Sequence, residues 1–515
     1  MNKPPFYITT TIPYASKMPH IGNVYEIILV DAIARFKRMD GFDVFFLTGT
    51  DEHGQKVQKN AIEANLAPQV YVDNIVKNIK NLYAKINISF DNFIRTTDDS
   101  HVKFVQSIYE KLLANGDIYL GEYEGFYSES AECFIPSSEI NDGKGLNGEN
   151  LVWTKEKVYF FNLQKYQDRL IKYINEHEDF IVPFTRKNEV LSNFLSEPLP
   201  NLSVSRTSFD WGVKLPFDTN HVAYVWLDAL PNYLSGLNYT LENKGKLYNA
   251  FWPCNLHVLG KDVLRFHAVY WPILLMALDI PLPKRLYVHP WLLFNKDKLS
   301  KSTGNVFYTD DLINIFGVDQ VRYFVLKEIP YSHDGNISHQ LIAERSNSDL
   351  TNTIGNLVNR SIAMAHKYRN GVIKEVPITC DFCQNLIEEA ILAIDKMRTY
   401  INYARVGDAI EEILKIARSA NKLIEDIKPW DLIKKGNTNH LDQLLYTLMG
   451  TIRIVATLLM PFVPTSAQKI ANQLNIRITN FHDVGVFGII NTYKVAKNEP
   501  IFNRFNIDDF KGDGK

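Results

Sequence analysis

The chain has 515 residues, of which 46% are hydrophobic and 22% are charged, and its formal net charge is −2. This length predicts about two to four domains, and the composition excludes a mainly disordered chain. Because the net charge is slightly negative, any contact with nucleic acid must use local basic patches. No apolar stretch has the form of a signal peptide or a membrane span, so we expect a cytoplasmic protein without membrane contact.

The cysteines carry little functional signal. The chain has four of them, which does not suggest a disulfide framework. Cys380 and Cys383 form a CxxC pair, but no second pair of Cys or His residues lies near it in the sequence. Because tetrahedral zinc needs four such ligands, we interpret the pair as a chance spacing.

The N-terminal part of the chain alternates between strand and helix patterns. Segment 6–14 is rich in aromatic and β-branched residues and predicts a strand, and 24–39 has apolar residues at helical spacing. Segment 42–54 predicts a second strand that runs into a polar loop, and 55–66 and 68–86 predict two more helices. This alternation is the signature of a parallel sheet with crossover helices.

The pattern changes in the middle of the chain. Segment 118–220 is rich in Tyr, Asn, Ser and Gly with short strand-like pieces, and we interpret it as an inserted module. The α/β pattern then returns with 222–234, a strand-like 255–262, a helix at 263–278 and a strand at 285–294.

After about residue 340 the pattern is helical throughout. Apolar residues recur at three- and four-residue steps in 350–369, 381–401, 403–427 and 440–460, which predicts a helical bundle. The predicted fold is therefore α/β, with a parallel-sheet Rossmann-type catalytic domain, split by an inserted connective module and followed by an all-α C-terminal bundle. The predicted divisions are 1–117 and 221–290 for the catalytic halves, 118–220 for the module, 291–345 for a loop and stem-contact region, and 346–515 for the helical domain.

A first candidate site is the motif 19-PHIGN-23, between the first predicted strand and helix. Parallel-sheet folds bind nucleotides at this position, beside a helix N-terminus. Gly22 lets a ligand approach the backbone, and His20 and Asn23, three residues apart, can both donate hydrogen bonds to a phosphate from one helix face. Taken alone, the same residues could simply cap a helix.

A second candidate motif is 298-KLSKS-302, which follows the last predicted strand of the α/β part. Lys298 and Lys301 could neutralise the charge that develops on a triphosphate when its α-phosphorus is attacked. Ser300 and Ser302 can donate hydrogen bonds, and Gly304 could act as a hinge. Taken alone, this segment could be a solvated surface loop.

Together the two motifs resemble the hallmarks of class I aminoacyl-tRNA synthetases, usually written HIGH and KMSKS. Asn23 stands in place of the second His, and Leu299 in place of the Met. Longer segments resemble the methionyl-tRNA synthetase family over the whole catalytic part and into the helical part. These are 9-TTTIPYASKMPHIGN-23, 46-FLTGTDEHG-54, 204-VSRTSFDWG-212, 225-VWLDALPNY-233 and 259-LGKDVLRFHAVYWP-272.

The resemblance implies a methionine pocket. The matching residues are Ile12, Tyr14, Asp51, Trp226, Ala229, Leu230, Tyr233, Phe266, His267 and Trp271. Asp51 would hold the substrate ammonium, and Tyr14 and His267 could offer polar contacts to the thioether sulfur, a weak acceptor that favours aromatic surroundings. Leu230 stands where many relatives have Pro. Each aromatic residue alone would be interpreted as core packing, and His267 alone as a buried structural histidine.

The resemblance also implies the reaction and an ATP site. The family forms methionyl-adenylate and pyrophosphate from methionine and ATP, with Mg²⁺ on the triphosphate, and then transfers methionine to the 3′ end of its tRNA. Of the matching residues, His20, Asn23, Lys298 and Lys301 would be catalytic. The ATP-binding residues would be His20, Gly22, Asn23, Gly260, Lys261, Asp262, Lys298, Ser300 and Lys301.

The sequence departs from the family at its zinc knuckle. Many members build this knuckle from CxxC pairs in the inserted module. Here Ser128 and Ala131 stand where the first pair would be, Cys133 is out of register, and 141–150 offers no second pair. We therefore expect no structural zinc.

The helical part resembles the family's anticodon-binding bundle. Asn356 and Arg360 share a helix face, and Trp430 matches a Trp that stacks on an anticodon base. Taken singly, they could be a helix-capping Asn, a surface Arg and a core Trp. The implied partners are the initiator and elongator methionine tRNAs. Because the bundle runs nearly to the end of the sequence, we expect no dimerising C-terminal domain and a monomer.

Two alternatives stay open at this point. Another class I synthetase would act on isoleucine, valine, leucine or cysteine, but the first three usually carry a larger editing insertion, and the last would want a pocket with Cys and His metal ligands. The other alternative is a non-catalytic tRNA-binding or scaffold protein. Loss of His20 or of the motif lysines would favour it, and all are present.

Overall fold

The structure is a computed structural model. It describes residues 3–128, 133–135, 140, 143–144, 150–294, 297–298, 307–496 and 499–510, and for 133–135 and 297–298 only the course of the backbone.

The strands of the described residues fall mainly in the first 300 positions. In chain order they are β1 Pro5–Thr9, β2 Asp43–Thr50, β3 Asn92–Arg95, β4 Ile118–Ser128, β5 Cys133–Ile135, β6 Leu151–Phe161, β7 Ile181–Val182, β8 Leu202–Ser203, β9 Ser205–Arg206, β10 Lys214–Leu215, β11 Asp218–Ala223, β12 Leu256–Gly260, β13 Leu286–His289, β14 Leu292–Phe294, β15 Asp297–Lys298, β16 Gly335–Asn336, β17 Val372–Lys374 and β18 Thr492–Lys494.

The α-helices of the described residues occur along the whole chain, and the three longest, with 22 residues each, lie after residue 380. They are α1 Ile21–Met39, α2 Gln55–Glu63, α3 Pro68–Lys85, α4 Asp99–Ala114, α5 Gln164–Glu176, α6 Phe184–Glu189, α7 Val225–Ala229, α8 Asn232–Ser235, α9 Gly245–Phe251, α10 Trp271–Ala277, α11 Thr309–Phe316, α12 Val318–Glu328, α13 His339–Arg345, α14 Asn356–Arg369, α15 Asp381–Asn402, α16 Val406–Ile427, α17 Pro429–Lys434, α18 Thr438–Leu459 and α19 Pro464–Leu474. Wider π-helical turns occur at Val190–Phe194, Phe266–Tyr270 and Ser346–Gly355, and 3₁₀ turns at Lys261–Val263, Phe481–Val484 and Ile507–Phe510.

The chain divides into two compact units. The sheet unit comprises Pro5–Pro19 and Phe45–His289, and the helical unit comprises Met1–Pro4, His20–Val44 and Pro290–Lys515.

The sheet unit is built on a six-stranded parallel sheet with the order β3-β2-β1-β12-β13-β7. Its inner strands are apolar along most of their length, and all five residues of β12 are buried, which is typical of a parallel sheet covered on both faces. Thr9 of β1 lies directly opposite His257 of β12, which in turn lies opposite Leu286 of β13. This sheet confirms the predicted fold class.

The inserted segment forms antiparallel sheets. Strands β4 and β6 pair over 11 residues each, from Ile118 opposite Phe161 to Ser128 opposite Leu151. The expectation of short strand-like pieces therefore underestimated this hairpin. Strands β10, β11 and β9 form a second antiparallel sheet. The division of the chain into five segments stays a prediction.

The helical unit centres on α18, which is apolar on nearly all sides and buried from Leu444 to Leu459. A helix of this kind belongs in the centre of a bundle. Helices α15 and α16 pack together and against α18, so the predicted bundle is present, and the ends of these three helices lie within about three residues of expectation. The helix predicted at 350–369 is instead the end of the π-helical segment Ser346–Gly355 followed by α14.

Helix α1 belongs to the helical unit, although the sequence predicts it as a crossover helix of the sheet. Asp31 of α1 forms a fully buried ion pair with Arg322 of α12 at 2.7 Å. The Arg322 Nε also donates to the Phe462 carbonyl at 3.0 Å, and Lys37 Nζ donates to Asn402 Oδ1 at 2.6 Å. Removal of one partner of such a buried pair typically costs about 3–5 kcal/mol, so these contacts fix α1 within its unit.

Candidate active site

An aromatic pair forms one wall of a cluster in the sheet unit. The rings of Trp226 and Phe266 stack with centroids 3.8 Å apart and planes 6° from parallel, and both residues are half-buried. Trp226 lies in α7, and Phe266 begins the π-helical turn at Phe266–Tyr270. Two flat aromatic faces that are partly exposed can cover an apolar or thioether side chain.

The second wall is a neutral polar pair, Tyr233 and His267. The His267 Nδ1 lies 3.0 Å from the Val263 carbonyl, which can only accept, so Nδ1 carries the ring proton. The Nε2 is then the acceptor, and the Tyr233 hydroxyl donates to it at 2.8 Å. Burial lowers the pKa of His267 to about 4, against smaller opposing effects of the Val263 carbonyl and Asp262, so the ring is uncharged near neutral pH.

His267 should make the folded state acid-sensitive. Between its ordinary pKa of 6.5 and its folded value of about 4, only the unfolded chain binds the proton, so the free energy of unfolding falls as pH falls through this window. The slope from this one residue approaches about 1.4 kcal/mol per pH unit. We expect urea unfolding between pH 7 and pH 5 to show a smaller loss of stability in His267→Gln than in the wild type. Equal slopes would contradict a neutral His267.

The deepest part of the cluster is closed by fully buried residues. Trp271 in α10 is 0% exposed, and its ring centroid lies 5.7 Å from that of Tyr233. Ala229 and Leu230, at the end of α7, are buried as well. Leu230 thus supplies an apolar side chain where many relatives have Pro.

Backbone pairing holds the only predicted charged residue of the pocket. The Asp51 N–H donates to the Pro13 carbonyl at 3.0 Å, and the Ala15 N–H donates to the Asp51 carbonyl at 2.7 Å. These bonds bracket Tyr14 and place it opposite Asp51 in a parallel bridge. Tyr14 and Ile12 are half-buried and pack against the same apolar core as the aromatic residues above.

The segment at the end of β12 turns tightly. Gly260 is followed by the 3₁₀ turn Lys261–Val263. A Cβ at Gly260 would lie 2.6 Å from Asp262 Oδ1 and 3.5 Å from the His289 ring, so a side chain here would require the Asp262 carboxylate to move. Lys261 is half-buried and Asp262 is exposed.

In the helical unit, the residues of the HIGN motif cap α1. The His20 Nδ1 accepts from the Gly22 N–H at 3.1 Å, and the Asn23 Oδ1 accepts from the His20 N–H at 3.3 Å. Capping and ligand binding are compatible, because the cap uses acceptor atoms only. His20 and Asn23 also carry N–H groups, which are the kind of donor that binds an anion at a helix N-terminus. The Ile21 N–H donates to the Phe307 carbonyl at 3.0 Å.

The KLSKS motif is described only at its start. The backbone of Lys298 pairs with Leu293 in the antiparallel pair β14–β15. Ser300 and Lys301, together with the other residues of 299–306, lie outside the described residues.

The predicted anticodon residues lie in helices α14 and α17 of the helical unit. Asn356 and Arg360 occupy successive turns of α14, where Asn356 Nδ2 donates to Asn421 Oδ1 and Arg360 Nη1 donates to Glu425 Oε1, both at 3.3 Å. Trp430, in α17, is 42% exposed. It is therefore not a core Trp, and its ring can stack on a base.

Comparisons with known proteins match this arrangement. The family model described as tRNA synthetases class I (M) matches residues 6–144 and 140–362, and the model described as the anticodon binding domain of methionyl tRNA ligase matches residues 378–492. The chain belongs to the methionyl-tRNA synthetase family.

Curated relatives agree over nearly the full length of the chain. The methionine–tRNA ligase of Clostridium acetobutylicum is 48% identical over 98% of this chain and 79% of its own, and that of Bacillus subtilis is 42% identical over 98% and 78%. The solved Mycobacterium tuberculosis methionyl-tRNA synthetase in complex with methionyl-adenylate is 40% identical, with a TM-score of 0.93 over 97% of this chain and 100% of that one. Its apo form gives a TM-score of 0.86 at 37% identity, over 98% and 99%.

The sequence did not predict a buried cluster around Asp228, two residues after Trp226. The Asp228 carboxylate accepts hydrogen bonds from His53 Nδ1 at 2.7 Å and from His101 Nε2 at 3.1 Å. Asp228 is only 1% exposed. Burial alone would raise the pKa of Asp228, but the two histidines outweigh it and hold the pKa below its ordinary value. The cluster joins the segment after Asp51 to the helix that carries Trp226. Its one sequence signal was the dense polar run TDEHG.

Among the described residues, no helix has both the length and the hydropathy needed to cross a bilayer.

Proposed function

We propose that this chain is a methionine–tRNA ligase that acts in two steps. A carboxylate oxygen of L-methionine attacks the α-phosphorus of ATP. The bond between the α-phosphorus and the oxygen that bridges it to the β-phosphorus breaks, and pyrophosphate leaves. The 3′-terminal ribose hydroxyl of the tRNA then attacks the adenylate carbonyl, and AMP leaves. The observation that carries the proposal is the neutral pair Tyr233–His267 between aromatic walls, since an uncharged polar contact suits a thioether sulfur.

Methionine binding follows from the pocket. Ile12, Tyr14, Ala229, Leu230 and the aromatic walls enclose the side chain, and the Asp51 carboxylate pairs with the ammonium group. The Tyr233 hydroxyl already donates to His267, and His267 Nδ1 donates to Val263, so this pair would offer the methionine side chain no strong hydrogen-bond donor. Such a site favours a polarizable sulfur over a hydroxyl or a charge.

ATP binding uses the two motifs and the GKD turn. His20, Gly22 and Asn23 would contact ATP at a helix N-terminus, and Lys298, Ser300 and Lys301 would offer charge and hydrogen bonds to the phosphates. The other proposed nucleotide-binding residues, Gly260, Lys261 and Asp262, form the turn after β12. The described residues contain no group of three or more His, Cys, Asp or Glu side chains able to hold a metal. We expect Mg²⁺ to enter with the substrate, bound to the phosphate oxygens of ATP.

The decisive experiment is pyrophosphate–ATP exchange with each amino acid supplied separately. Exchange with methionine alone is the expected result. Exchange with isoleucine, valine, leucine or cysteine instead would keep the class and overturn the pocket assignment. No exchange by folded protein would favour a non-catalytic tRNA-binding role.

The tRNA partners proposed are the initiator and elongator methionine tRNAs, read through Asn356, Arg360 and Trp430. We expect Trp430→Ala to lower kcat/KM for tRNA charging by roughly 10- to 100-fold, because base stacking on an aromatic ring contributes about 1–3 kcal/mol. Methionine-dependent exchange should be unchanged. Phe382→Ala, a second aromatic change in the helical unit, is the control and should affect neither assay. Equal losses in charging and exchange for Trp430→Ala would contradict the assignment.

Location, oligomeric state and metal content are the remaining properties proposed for the chain. We propose a cytoplasmic monomer without structural zinc. Light scattering of the full chain tests the oligomeric state, and metal analysis of protein purified without added metal tests the zinc content.

A further inference from the structure

A buried histidine on the parallel sheet has no part in the motifs or in the pocket described above. His257 lies in β12 and is 1% exposed. Its Nδ1 is 2.7 Å from the Thr9 Oγ1 of the neighbouring strand, where the two residues are register partners. Because paired residues on adjacent strands project on the same face, this contact is built into the sheet.

The other side of the same ring supports two walls of the pocket. The Trp271 indole N–H donates to His257 Nε2 at 3.4 Å, and the Tyr233 ring centroid lies 4.3 Å from that of His257. Tyr233 in turn donates to His267. His257 therefore contacts both Trp271, which closes the proposed pocket, and Tyr233, which belongs to its polar pair.

The chemistry of the indole determines the tautomer of His257. An indole N–H can only donate, so Nε2 must accept, and the ring proton must lie on Nδ1. That proton then donates to the Thr9 hydroxyl oxygen. Burial, reinforced by His267, holds the pKa of His257 well below its ordinary range, so the ring carries a single proton. The opposite tautomer would place two N–H groups face to face.

We propose that Thr9 and His257 are positioning residues for methionine binding. Thr9 accepts the Nδ1 proton of His257 and so fixes the ring in place, and His257 thereby holds the Trp271 indole in the pocket wall. Neither residue touches the substrate. The inference rests on the proposed function, because it takes Trp271 and Tyr233 as walls of the methionine pocket.

Loss of this arrangement should weaken methionine binding without slowing the chemistry. Thr9→Val keeps the shape and removes the acceptor, so the buried Nδ1–H of His257 loses its partner and the ring that supports the indole is no longer held in place. The methionine side chain is held equally in the ground state and the transition state. A looser wall therefore raises KM for methionine and leaves kcat unchanged.

The test is methionine-dependent pyrophosphate exchange with the full chain. Thr9→Val should raise KM for methionine roughly tenfold, with kcat and KM for ATP within about twofold. Thr9→Ser restores the hydroxyl and should return KM close to the wild-type value. The matched control is Thr10→Val, the same change one residue along, at a buried hydroxyl that bonds Thr48 Oγ1 at 2.8 Å. Thr10→Val removes a buried hydroxyl-to-hydroxyl hydrogen bond, comparable to the bond lost in Thr9→Val, and it should leave KM for methionine unchanged.

A second variant tests the histidine directly. His257→Phe keeps a ring against Tyr233 and removes both nitrogens, and it should raise KM for methionine at least as much as Thr9→Val. Combining the two changes should add nothing to His257→Phe alone, because both remove the same support for the indole.

Several results would overturn the inference. The first two are equal KM values for methionine in Thr9→Val and Thr10→Val, and a KM in Thr9→Ser that stays as high as in Thr9→Val. The others are additive increases of this KM in the double variant, and a fall in kcat together with a rise in the KM for methionine and the KM for ATP. Absence of methionine-dependent exchange in the wild type would be a different failure, because it would remove the proposed function itself.

Discussion

Asp51→Asn is expected to lower kcat/KM for methionine by roughly 30-fold to several thousandfold, with KM for ATP within about twofold of the wild type. Truncation of one partner in a buried, hydrogen-bonded charge pair costs about 2–5 kcal/mol, and each 1.4 kcal/mol is about tenfold. Asp51 is 8% exposed, so its pairing with the substrate ammonium is screened little by water. Asparagine keeps the shape and loses the charge.

The neighbouring carboxylate explains why Asp51 rather than Glu52 is assigned this role. Glu52 is fully buried, and Arg95 donates to both of its oxygens at 2.8 Å. The hydroxyls of Thr50 and Thr97 donate to it as well. These four donors occupy the carboxylate, so Glu52 holds the end of β2 together and has no acceptor left for a substrate.

Glu52→Gln is therefore the matched comparison for Asp51→Asn. It removes the same charge one residue along, and we expect lower stability towards urea with KM for methionine close to the wild-type value. Methionine-dependent exchange and equilibrium dialysis of labelled methionine measure the two effects. An Asp51→Asn variant whose methionine affinity stays within about threefold of the wild type would exclude an ammonium contact.

Local periodicity was enough to predict the parallel sheet and the bundle. The strand at 255–262 and the helices at 381–401 and 440–460 have apolar spacing that depends only on their own sequence, and β12, α15 and α18 lie there. The helix predicted at 263–278 is instead a 3₁₀ turn, a π-helical turn and α10 in succession. Apolar spacing does not distinguish these turns, and the wide turn carries Phe266 and His267.

Long-range pairing could not be predicted from the sequence. Thr9 and His257 are 248 residues apart, and His53 and Asp228 are 175 apart, so no short motif contains either contact. The resemblance to the family suggested which residues line the proposed pocket. The contacts of Thr9 with His257 and of His53 with Asp228 became visible only once the register of the sheet and the hydrogen bonds were known.

The assignment of α1 to the helical unit was likewise not predictable. Its apolar spacing fits a crossover helix equally well, and only the contacts of Asp31 with Arg322 and of Lys37 with Asn402 show where it is held. The helix that begins at the HIGN motif is thus fixed by residues of the all-α part of the chain, far away in sequence. A short motif specifies which groups meet a phosphate but does not specify what holds its helix.

Lys301→Ala is expected to slow methionyl-adenylate formation by roughly 100- to 1,000-fold, the usual effect of removing one group that stabilises transition-state charge. As the α-phosphorus is attacked, negative charge grows on the pyrophosphate leaving group, and an ammonium placed there acts mainly in the transition state. Methionine affinity should change little, because the predicted methionine pocket does not include this residue. Rapid-quench measurement of adenylate formation and equilibrium dialysis with methionine separate the two quantities.

Two further variants make the prediction specific to the motif. Lys296→Ala removes a lysine from the same stretch but outside 298-KLSKS-302, so it should leave the rate of adenylate formation within about twofold of the wild type. Lys301→Arg keeps the charge but replaces a compact ammonium with a planar guanidinium, and it should recover only part of the rate. If Lys296→Ala and Lys301→Ala slowed the reaction equally, a general loss of positive charge near the nucleotide would explain the result. A rate loss confined to Lys301→Ala, with unchanged methionine affinity, would instead identify Lys301 as the group that neutralises the leaving pyrophosphate.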